Sequence, residues 1–240
     1  MSIYVFYHPC PEKEAILSAE ESFHAAKVLR LKKGDTIYLL NGKGKKYQAK
    51  LVDVDSRKST FTDLILTESE ENPAFKIHLL IAPTKQMERM EWMVEKCTEF
   101  GIHSISFFHS RFSERKEIKF NRLEKVAISA LKQSKNLHLP QFNSIQPIKE
   151  LVHLNIDGDK TQKLFAYITP DPVESLIKSL ELHQSYYIMI GPEGDFSSEE
   201  SQQLIKNNWQ PFHLGKSILR TETAGIASTL AVHLFHESNN

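Results

Sequence analysis

A short stretch near the end of the chain combines residue types that are unusual for an apolar core. In "HLGKSILRTETAGIAS" (213–228), an apolar run ends at Arg220, two threonines flank Glu222, and small residues open the following helix. Small residues at a strand-to-helix junction let a ligand or another backbone approach closely, and the first N–H groups of a helix are free to donate hydrogen bonds. Arg220 has no simple structural explanation at such a crowded junction, so its charge is predicted to point at a ligand.

Two other stretches have a similar character. In "IGPEGDFSSEE" (190–200), Gly191 and Gly194 permit sharp backbone geometry and close approach of a ligand, and Ser197 with Glu200 has the spacing of a helix capping box. Taken alone, this stretch is also compatible with a simple tight turn. In "YITPDP" (167–172), two prolines force the chain out of its strand.

Several common kinds of site are not indicated. The chain has no glycine pattern typical of dinucleotide or triphosphate binding and no nucleophile elbow. Its 11 histidines are scattered singly, without the spacing of metal ligands, so no metal is expected.

The elements around these stretches indicate a mixed α/β fold. From residue 76 onward, apolar strands such as "KIHLLIAP" and "YYIMIG" alternate with helical segments, which predicts a largely parallel sheet covered by helices. Helices are expected over 84–100, with Thr84 as N-cap, over 121–135 and within "PVESLIKSLEL"; strands are expected over 163–169 and 211–214. Ligands of such sheets bind beyond the carboxyl ends of the strands, where the three stretches lie.

The first 67 residues have a different pattern, rich in β-branched and aromatic residues. "NGKG" (41–44) between two such runs predicts a hairpin, and one short helix is expected around Glu21 to Leu29. The acidic segment "ESEENPAF" (68–75) is interpreted as a linker. The chain is therefore expected to have a small β-barrel domain over residues 1–70 and an α/β domain over residues 71–240.

Composition limits the class of protein. The chain has 240 residues, of which 40% are apolar and 25% charged, and no apolar run is long enough to cross a bilayer. The absence of a secretory signal and the separation of Cys10 from Cys97 favour a cytoplasmic protein with no membrane contact. Lys and Arg equal Asp and Glu at 30 each, which argues against charge-driven binding of bulk nucleic acid but allows local basic clusters.

Four segments together resemble the RsmE family of ribosomal RNA methyltransferases, in the SPOUT superfamily. They are "HAAKVLRLKKGD" (24–35), "KQMERMEWMVEKCTEFGI" (85–102), "ALKQSKNLHLP" (130–140) and the pair "IGPEGDFSSEE" and "LGKSILRTETA". The resemblance covers the whole chain. It implies a PUA-like RNA-binding barrel, a SPOUT domain with a C-terminal trefoil knot, a homodimer, and methylation by S-adenosylmethionine of N3 of a uridine in 16S rRNA of the small ribosomal subunit.

The resemblance also implies roles for particular residues. S-adenosylmethionine is expected to contact Thr169, Ile190, Gly191, Glu193, Gly194, Leu214, Gly215, Ile218, Leu219, Thr221 and Thr223. RNA is expected to contact Arg30, Lys43, Lys45, Lys46, Lys85, Arg111, Lys132 and Lys135. Methylation at N3 requires loss of the imide proton, so Arg220 is expected to stabilise the resulting negative charge. Glu193, or else Glu222, is the expected general base.

Three departures from the family pattern concern these roles. Asp195 stands where many members have a second glycine. In a helical segment that often reads Glu-Gln-x-x-Arg, Lys132 stands in place of the glutamate and Asn136 in place of the arginine. Two alternative hypotheses remain open at this stage. One is a methyltransferase of the same superfamily that acts on another RNA, such as a transfer RNA; the other is a ribosome-assembly factor without catalytic activity.

Overall fold

The computed structural model describes residues 3–70, 73–115, 117–154, 160–169, 172–182 and 185–239. Lys116, two residues of the expected linker, and Pro170 and Asp171 of the stretch 167–172 lie outside the described residues. The chain divides into two units. The first comprises Met1–Pro73 and Ile128–Leu139, and the second comprises Ala74–Ala127 and Pro140–Asn240. The segment Ile128–Leu139 thus belongs to the first unit, although it lies within the expected second domain.

The first unit is built on a four-stranded sheet. Its strands are β1 (Val5–Tyr7), β2 (Thr36–Leu40), β3 (Lys45–Asp53) and β4 (Thr60–Ser69), in that order across the sheet. The predicted hairpin is confirmed, because β2 pairs antiparallel with β3 and the side chain of Asn41 accepts hydrogen bonds from the N–H groups of Lys43 and Lys45. Helix α1 (Ala19–Phe23), capped by Ser18, continues into a π-helical turn over His24–Val28.

The second unit is an α/β fold with a six-stranded sheet. Its strands are β5 (Lys76–Ile81), β6 (Ser104–His109), β7 (Gln141–Pro147), β8 (Thr161–Ala166), β9 (Ser185–Ile190) and β10 (Gln210–Phe212). Their order is β10-β8-β9-β5-β6-β7, and every neighbouring pair is parallel, as the alternation of strands and helices predicts. The helices are α2 (Met87–Glu99), α3 (Phe120–Ser134), whose last residues belong to the first unit, α4 (Ile148–Val152), α5 (Leu176–Ser179), α6 (Ser198–Lys206) and α7 (Thr221–Asn239).

Both faces of the six-stranded sheet are covered, which accounts for the near-continuous apolar strands. On one face α7 packs so closely on β5 that a Cβ atom added at Gly225 would lie 3.1 Å from Ile81 and 3.2 Å from Leu79. On the other face Leu80 and Phe165 belong to a buried cluster that includes Leu204 of α6. No helix among the described residues has the length and apolar character needed to cross a membrane.

Several elements differ from the sequence-based expectations. Strand β7 and helix α4 were not predicted, and the expected helix in "PVESLIKSLEL" is only the four residues of α5. Thr84 as the N-cap of α2 was wrong, because the cap position is Gln86 and the Thr84 hydroxyl donates to the Gln86 carbonyl. The capping box of Ser197 and Glu200 at the start of α6 is confirmed.

Candidate active site

The three unusual stretches come together at one edge of the sheet. Strands β8, β9 and β10 are neighbours and run parallel, so the loops that follow them leave the sheet on the same side. These loops enclose a cavity of about 640 Å³. The cavity wall contains most of the residues that were expected to contact S-adenosylmethionine. They are Thr169, Ile190, Gly191, Glu193, Leu214, Gly215, Ile218, Leu219 and Thr221. Arg220 also lines the cavity, whereas Gly194, Glu222 and Thr223 are not part of its wall.

The turn after β9 depends on Asp195. The backbone N–H of Asp195 donates to the Pro192 carbonyl, and Asp195 has a φ of +58°, a left-handed conformation that aspartate tolerates better than most residues. Its carboxylate accepts hydrogen bonds from the backbone N–H of Phe196 (2.8 Å) and of Ile168 in the loop after β8 (2.9 Å). Burial raises the pKa of Asp195, while these two N–H groups oppose that increase.

The two glycines of this turn are explained by packing. A Cβ atom at Gly191 would lie 3.1 Å from the ring of Phe196, and one at Gly194 would lie 2.9 Å from the Cβ atom of Phe112. The left-handed residue of the turn is thus Asp195, and Gly194 allows the loop after β6 to approach.

The junction between β10 and α7 forms the opposite wall. Gly215 has a φ of +119° with open space around it, so glycine is required there by backbone conformation. The hydroxyl of Thr221, in the first turn of α7, donates to the Gly191 carbonyl at 3.1 Å and ties the two loops together. The carbonyl of Arg220 accepts the N–H of Ala224 at 2.8 Å, so α7 begins at the cavity.

The three charged candidates differ in their surroundings. Arg220 is exposed, and within the described part of the chain its guanidinium has no hydrogen bond or ion pair. Glu193 is also exposed and lines the cavity. Glu222 is only 4% exposed, and its carboxylate lies 3.7 Å from the Nε atom of Arg89 on α2. One oxygen of Glu222 is buried without a hydrogen-bond partner among the described residues.

The cavity can hold a ligand that is partly apolar and partly polar. Leu214 and Leu219 are half-buried in its wall, and Ile218 is 79% exposed, which is high for an isoleucine. Polar groups come from the backbone at Gly191 and from the carboxylates of Glu193 and Asp195. The wall therefore offers apolar side chains to one part of a ligand and charged groups to another, since Lys216 and Arg220 line it as well.

The basic residues of the first unit, which were expected to contact RNA, fall into two groups. Lys132 donates to the buried carboxylate of Glu21 at 2.7 Å, and Lys46 pairs with Glu68 at 3.0 Å. Lys45, which is half-buried, lies at the start of β3. Among the residues expected to contact RNA in this unit, Arg30, Lys43 and Lys135 are exposed.

In the second unit, Lys85 and Arg111 are both exposed. The ammonium group of Lys85 pairs with Glu114 at 3.0 Å, in an ion pair open to solvent. Arg111 follows β6, and its guanidinium lies 5.8 Å from the centre of the Phe112 ring.

Sequence reasoning missed two residues that shape the cavity. Asp195 was noted only as a departure from the family, although its carboxylate connects two loops of the wall. His213 was not considered, yet its Nδ1 atom accepts the N–H of Gly215 at 3.0 Å and fixes the start of the β10–α7 loop. The sequence signal for both is a polar residue in a loop after a strand: His213 directly follows β10, and Asp195 lies in the turn after β9.

Known RNA methyltransferases match this chain over most of its length. Residues 70–233 match the family described as "RNA methyltransferase domain", and residues 17–64 match "RNA methyltransferase PUA domain". The chain is 30% identical over 225 residues to the ribosomal RNA small subunit methyltransferase E of Buchnera aphidicola subsp. Acyrthosiphon pisum, covering 90% of this chain and 86% of that protein.

Two crystal structures are similar over almost their full length. A probable rRNA-methyltransferase from Porphyromonas gingivalis has 34% identity and a TM-score of 0.92, with 99% of this chain and 100% of that chain covered. A ribosomal RNA small subunit methyltransferase E from Neisseria gonorrhoeae, bound to S-adenosyl methionine, has 25% identity and a TM-score of 0.81, with 97% and 98% covered. With its PUA domain followed by a parallel-sheet domain of SPOUT type, the chain belongs to the RsmE family of RNA methyltransferases.

Proposed function

We propose that this protein methylates N3 of a uridine in the 16S rRNA of the small ribosomal subunit, with S-adenosylmethionine as methyl donor, in the cytoplasm. The observation that carries the proposal is the position of Arg220. Its exposed guanidinium, without a partner in the described part of the chain, lines a cavity at the carboxyl ends of three parallel strands. The names of the relatives support an rRNA substrate, and the bound molecule of the Neisseria protein supports the donor.

The cavity fits S-adenosylmethionine in size and chemistry. Its volume of about 640 Å³ is typical of sites for ligands of this size, which span roughly 300–1,000 Å³. Leu214, Ile218 and Leu219 would contact the adenine, and the backbone at Gly191 would bind polar groups of the donor. When bound, S-adenosylmethionine supplies an electrophilic methyl group on a positively charged sulfur.

The residues around the cavity would act on the acceptor base. The imide nitrogen of uridine becomes a good nucleophile only when its proton leaves, and negative charge then spreads to the neighbouring carbonyl oxygens. Arg220 and the first N–H groups of α7 would stabilise that charge. Glu193 is the better of the two proposed bases, because it lines the cavity, whereas the carboxylate of Glu222 is buried beside Arg89.

We also propose that the protein is a homodimer. Helices α2 and α7 pack against each other, and each carries a large apolar side chain exposed to solvent: Trp92 is 45% and Leu234 is 57% exposed. A second copy of the chain that covers these side chains would bury them. Sedimentation equilibrium of the purified protein tests this proposal, and a monomer at micromolar concentration would contradict it.

The decisive experiment compares 16S rRNA from cells with and without the protein. Nuclease digestion followed by mass spectrometry should reveal one 3-methyluridine that is present only when the protein is made. Purified protein with S-adenosylmethionine should restore that methyl group on small subunits from the deletion strain. If cells without the protein instead lack a methyl group on a transfer RNA, the alternative activity, methylation of a transfer RNA, would be favoured.

Calorimetry with S-adenosylmethionine separates catalysis from a role in assembly alone. A methyltransferase must bind the donor, whereas an assembly factor without activity has no need of it. Saturable binding with one site per chain is expected; no binding would contradict the proposed function.

A further inference from the structure

Phe112 is an aromatic residue held out into solvent beside the cavity. Its side chain is 45% exposed, although phenylalanine is among the residues most often buried. A single exposed apolar side chain is common on protein surfaces and does not by itself indicate a site. The surroundings of Phe112 in the second unit provide the further observations.

The loop that carries Phe112 is fixed on both sides of the ring. The N–H of Ser110 donates to the Ser113 hydroxyl at 2.9 Å, and the N–H of Ser113 donates to the Ser110 carbonyl at 3.2 Å. The N–H of Arg111 donates to a carboxylate oxygen of Glu200 at 2.9 Å, and the other oxygen of Glu200 accepts the N–H of Ser197 in the capping box of α6. The ring therefore stays exposed because of a defined loop conformation.

Phe112 also approaches the turn after β9, next to the cavity wall. Its Cβ atom would lie 2.9 Å from a Cβ atom added at Gly194, so glycine is needed there for the two backbones to approach. Glu193 and Asp195, on either side of Gly194, both line the cavity. Phe112 therefore lies beside a residue whose two chain neighbours line the cavity.

Arg111 gives this position a positive charge. Its guanidinium lies 5.8 Å from the centre of the Phe112 ring, and it has no hydrogen bond to a side chain within the described ranges. An exposed aromatic ring next to an arginine is the combination that stacks on bases and contacts phosphates in proteins that bind single-stranded nucleic acid. The positive charge beside the ring favours a polyanion such as RNA as the occupant of this surface.

We propose that Phe112 and Arg111 form a stacking site for an rRNA base next to the methylated nucleotide. Enzymes that modify a base must take it out of its stack, which leaves its neighbour without a stacking partner. The Phe112 ring replaces that partner and holds the strand at the cavity, while Arg111 binds the adjoining phosphate. This inference rests on the proposed methylation of 16S rRNA and adds to it a second contact with the same RNA.

The test measures equilibrium binding of small subunits from a strain that lacks the protein, together with methyl transfer to them. Phe112→Ala should weaken binding by roughly 5-fold to 150-fold, the usual range for one stacked base. Phe112→Trp should bind within about 3-fold of wild type, because tryptophan keeps the stacking surface. Ile205→Ala, a change of a 52% exposed apolar residue on α6, is the matched control and should have no effect.

Salt dependence separates stacking from charge. Phe112→Ala should leave the slope of log affinity against log salt concentration unchanged, whereas Arg111→Ala should reduce it by about one. The affinity for S-adenosylmethionine and the sedimentation coefficient should be unchanged in Phe112→Ala.

Three results would overturn the inference: normal subunit binding by Phe112→Ala, an equal loss of donor affinity, or a change of oligomeric state that explains the defect. Failure of the wild-type protein to methylate the subunits would instead contradict the proposed function. The binding measurements would still decide whether Phe112 contacts RNA.

Discussion

The carboxylate of Asp195 accepts a hydrogen bond from the backbone N–H of Ile168 at 2.9 Å, and this contact joins the loops after β9 and β8. Both residues line the cavity. Asp195 has a φ of +58°, a conformation that costs a residue with a side chain about 1 kcal/mol. The hydrogen bonds of the carboxylate offset this cost, which explains how an aspartate can occupy a left-handed position that favours glycine.

Replacement of Asp195 by alanine should weaken S-adenosylmethionine binding about 5-fold to 10-fold, because it keeps the backbone strain and removes the hydrogen bond that joins the two loops, worth about 1 kcal/mol. Asp195→Asn keeps an acceptor for the Ile168 N–H and should stay within about 3-fold of wild type. Calorimetric titration with the donor measures both affinities. Equal affinities of Asp195→Ala and wild type would show that the contact does not shape the cavity.

Arg220→Ala should reduce the rate of methyl transfer roughly 100-fold to 1,000-fold, the range seen when one group that stabilises an oxyanion is removed. Donor affinity should change by less than about 3-fold, because the guanidinium acts on the acceptor base. Single-turnover transfer to small subunits measures the rate, and calorimetry measures the affinity. Parallel losses of both would indicate that Arg220 only supports the cavity.

Glu193→Gln should remove the rising limb of the pH–rate profile, because the amide cannot accept the imide proton. Glu222→Gln is the comparison: its carboxylate is buried beside Arg89, so this change should affect stability and leave the shape of the profile unchanged. A profile of Glu193→Gln that coincides with that of wild type would exclude Glu193 as the base.

The position of the site at the strand ends was predictable. Alternating apolar strands and helices indicate a parallel sheet, and the unusual residues follow three of its strands. Strand β7 was not predictable in the same way. Its sequence QFNSIQP lacks an apolar run, since it is an edge strand whose side chains are mostly exposed or half-buried. Its pairing with β6 depends on backbone hydrogen bonds.

Contacts between residues distant in sequence are a second feature that the sequence did not predict. The closeness of Gly194 to Phe112 arises only when the loops after β6 and β9 meet, so composition alone suggested a ligand as the reason for the glycine. Lys132 is a similar case: its charge predicts RNA contact, and only the fold reveals its pairing with the buried carboxylate of Glu21.

Lys132→Ala should lower the free energy of unfolding by about 2 kcal/mol, because the Glu21 carboxylate would remain buried without its charged partner. Lys135→Ala removes the same charge from an exposed position nearby and should change stability by less than about 0.5 kcal/mol. Urea denaturation compares the two variants. Equal stability of the two would contradict a structural role for the Lys132–Glu21 pair.

His78 should make stability depend on pH below neutrality. Burial, with smaller contributions from the nearby His103 and Lys76, lowers the pKa of His78 to about 4, whereas a histidine in the unfolded chain has a pKa of about 6.5. The unfolded state therefore binds more protons between these values, so stability is complete above about pH 6.5 and falls as the pH decreases towards 4. The loss of stability is on the order of 2 kcal/mol, after allowance for the partial exposure of the ring.

His78→Gln should flatten this dependence of stability on pH in urea denaturation at pH 7, 6 and 5, whereas His153→Gln at an exposed position should not. The same slope in wild type and His78→Gln would assign the acid sensitivity to other groups.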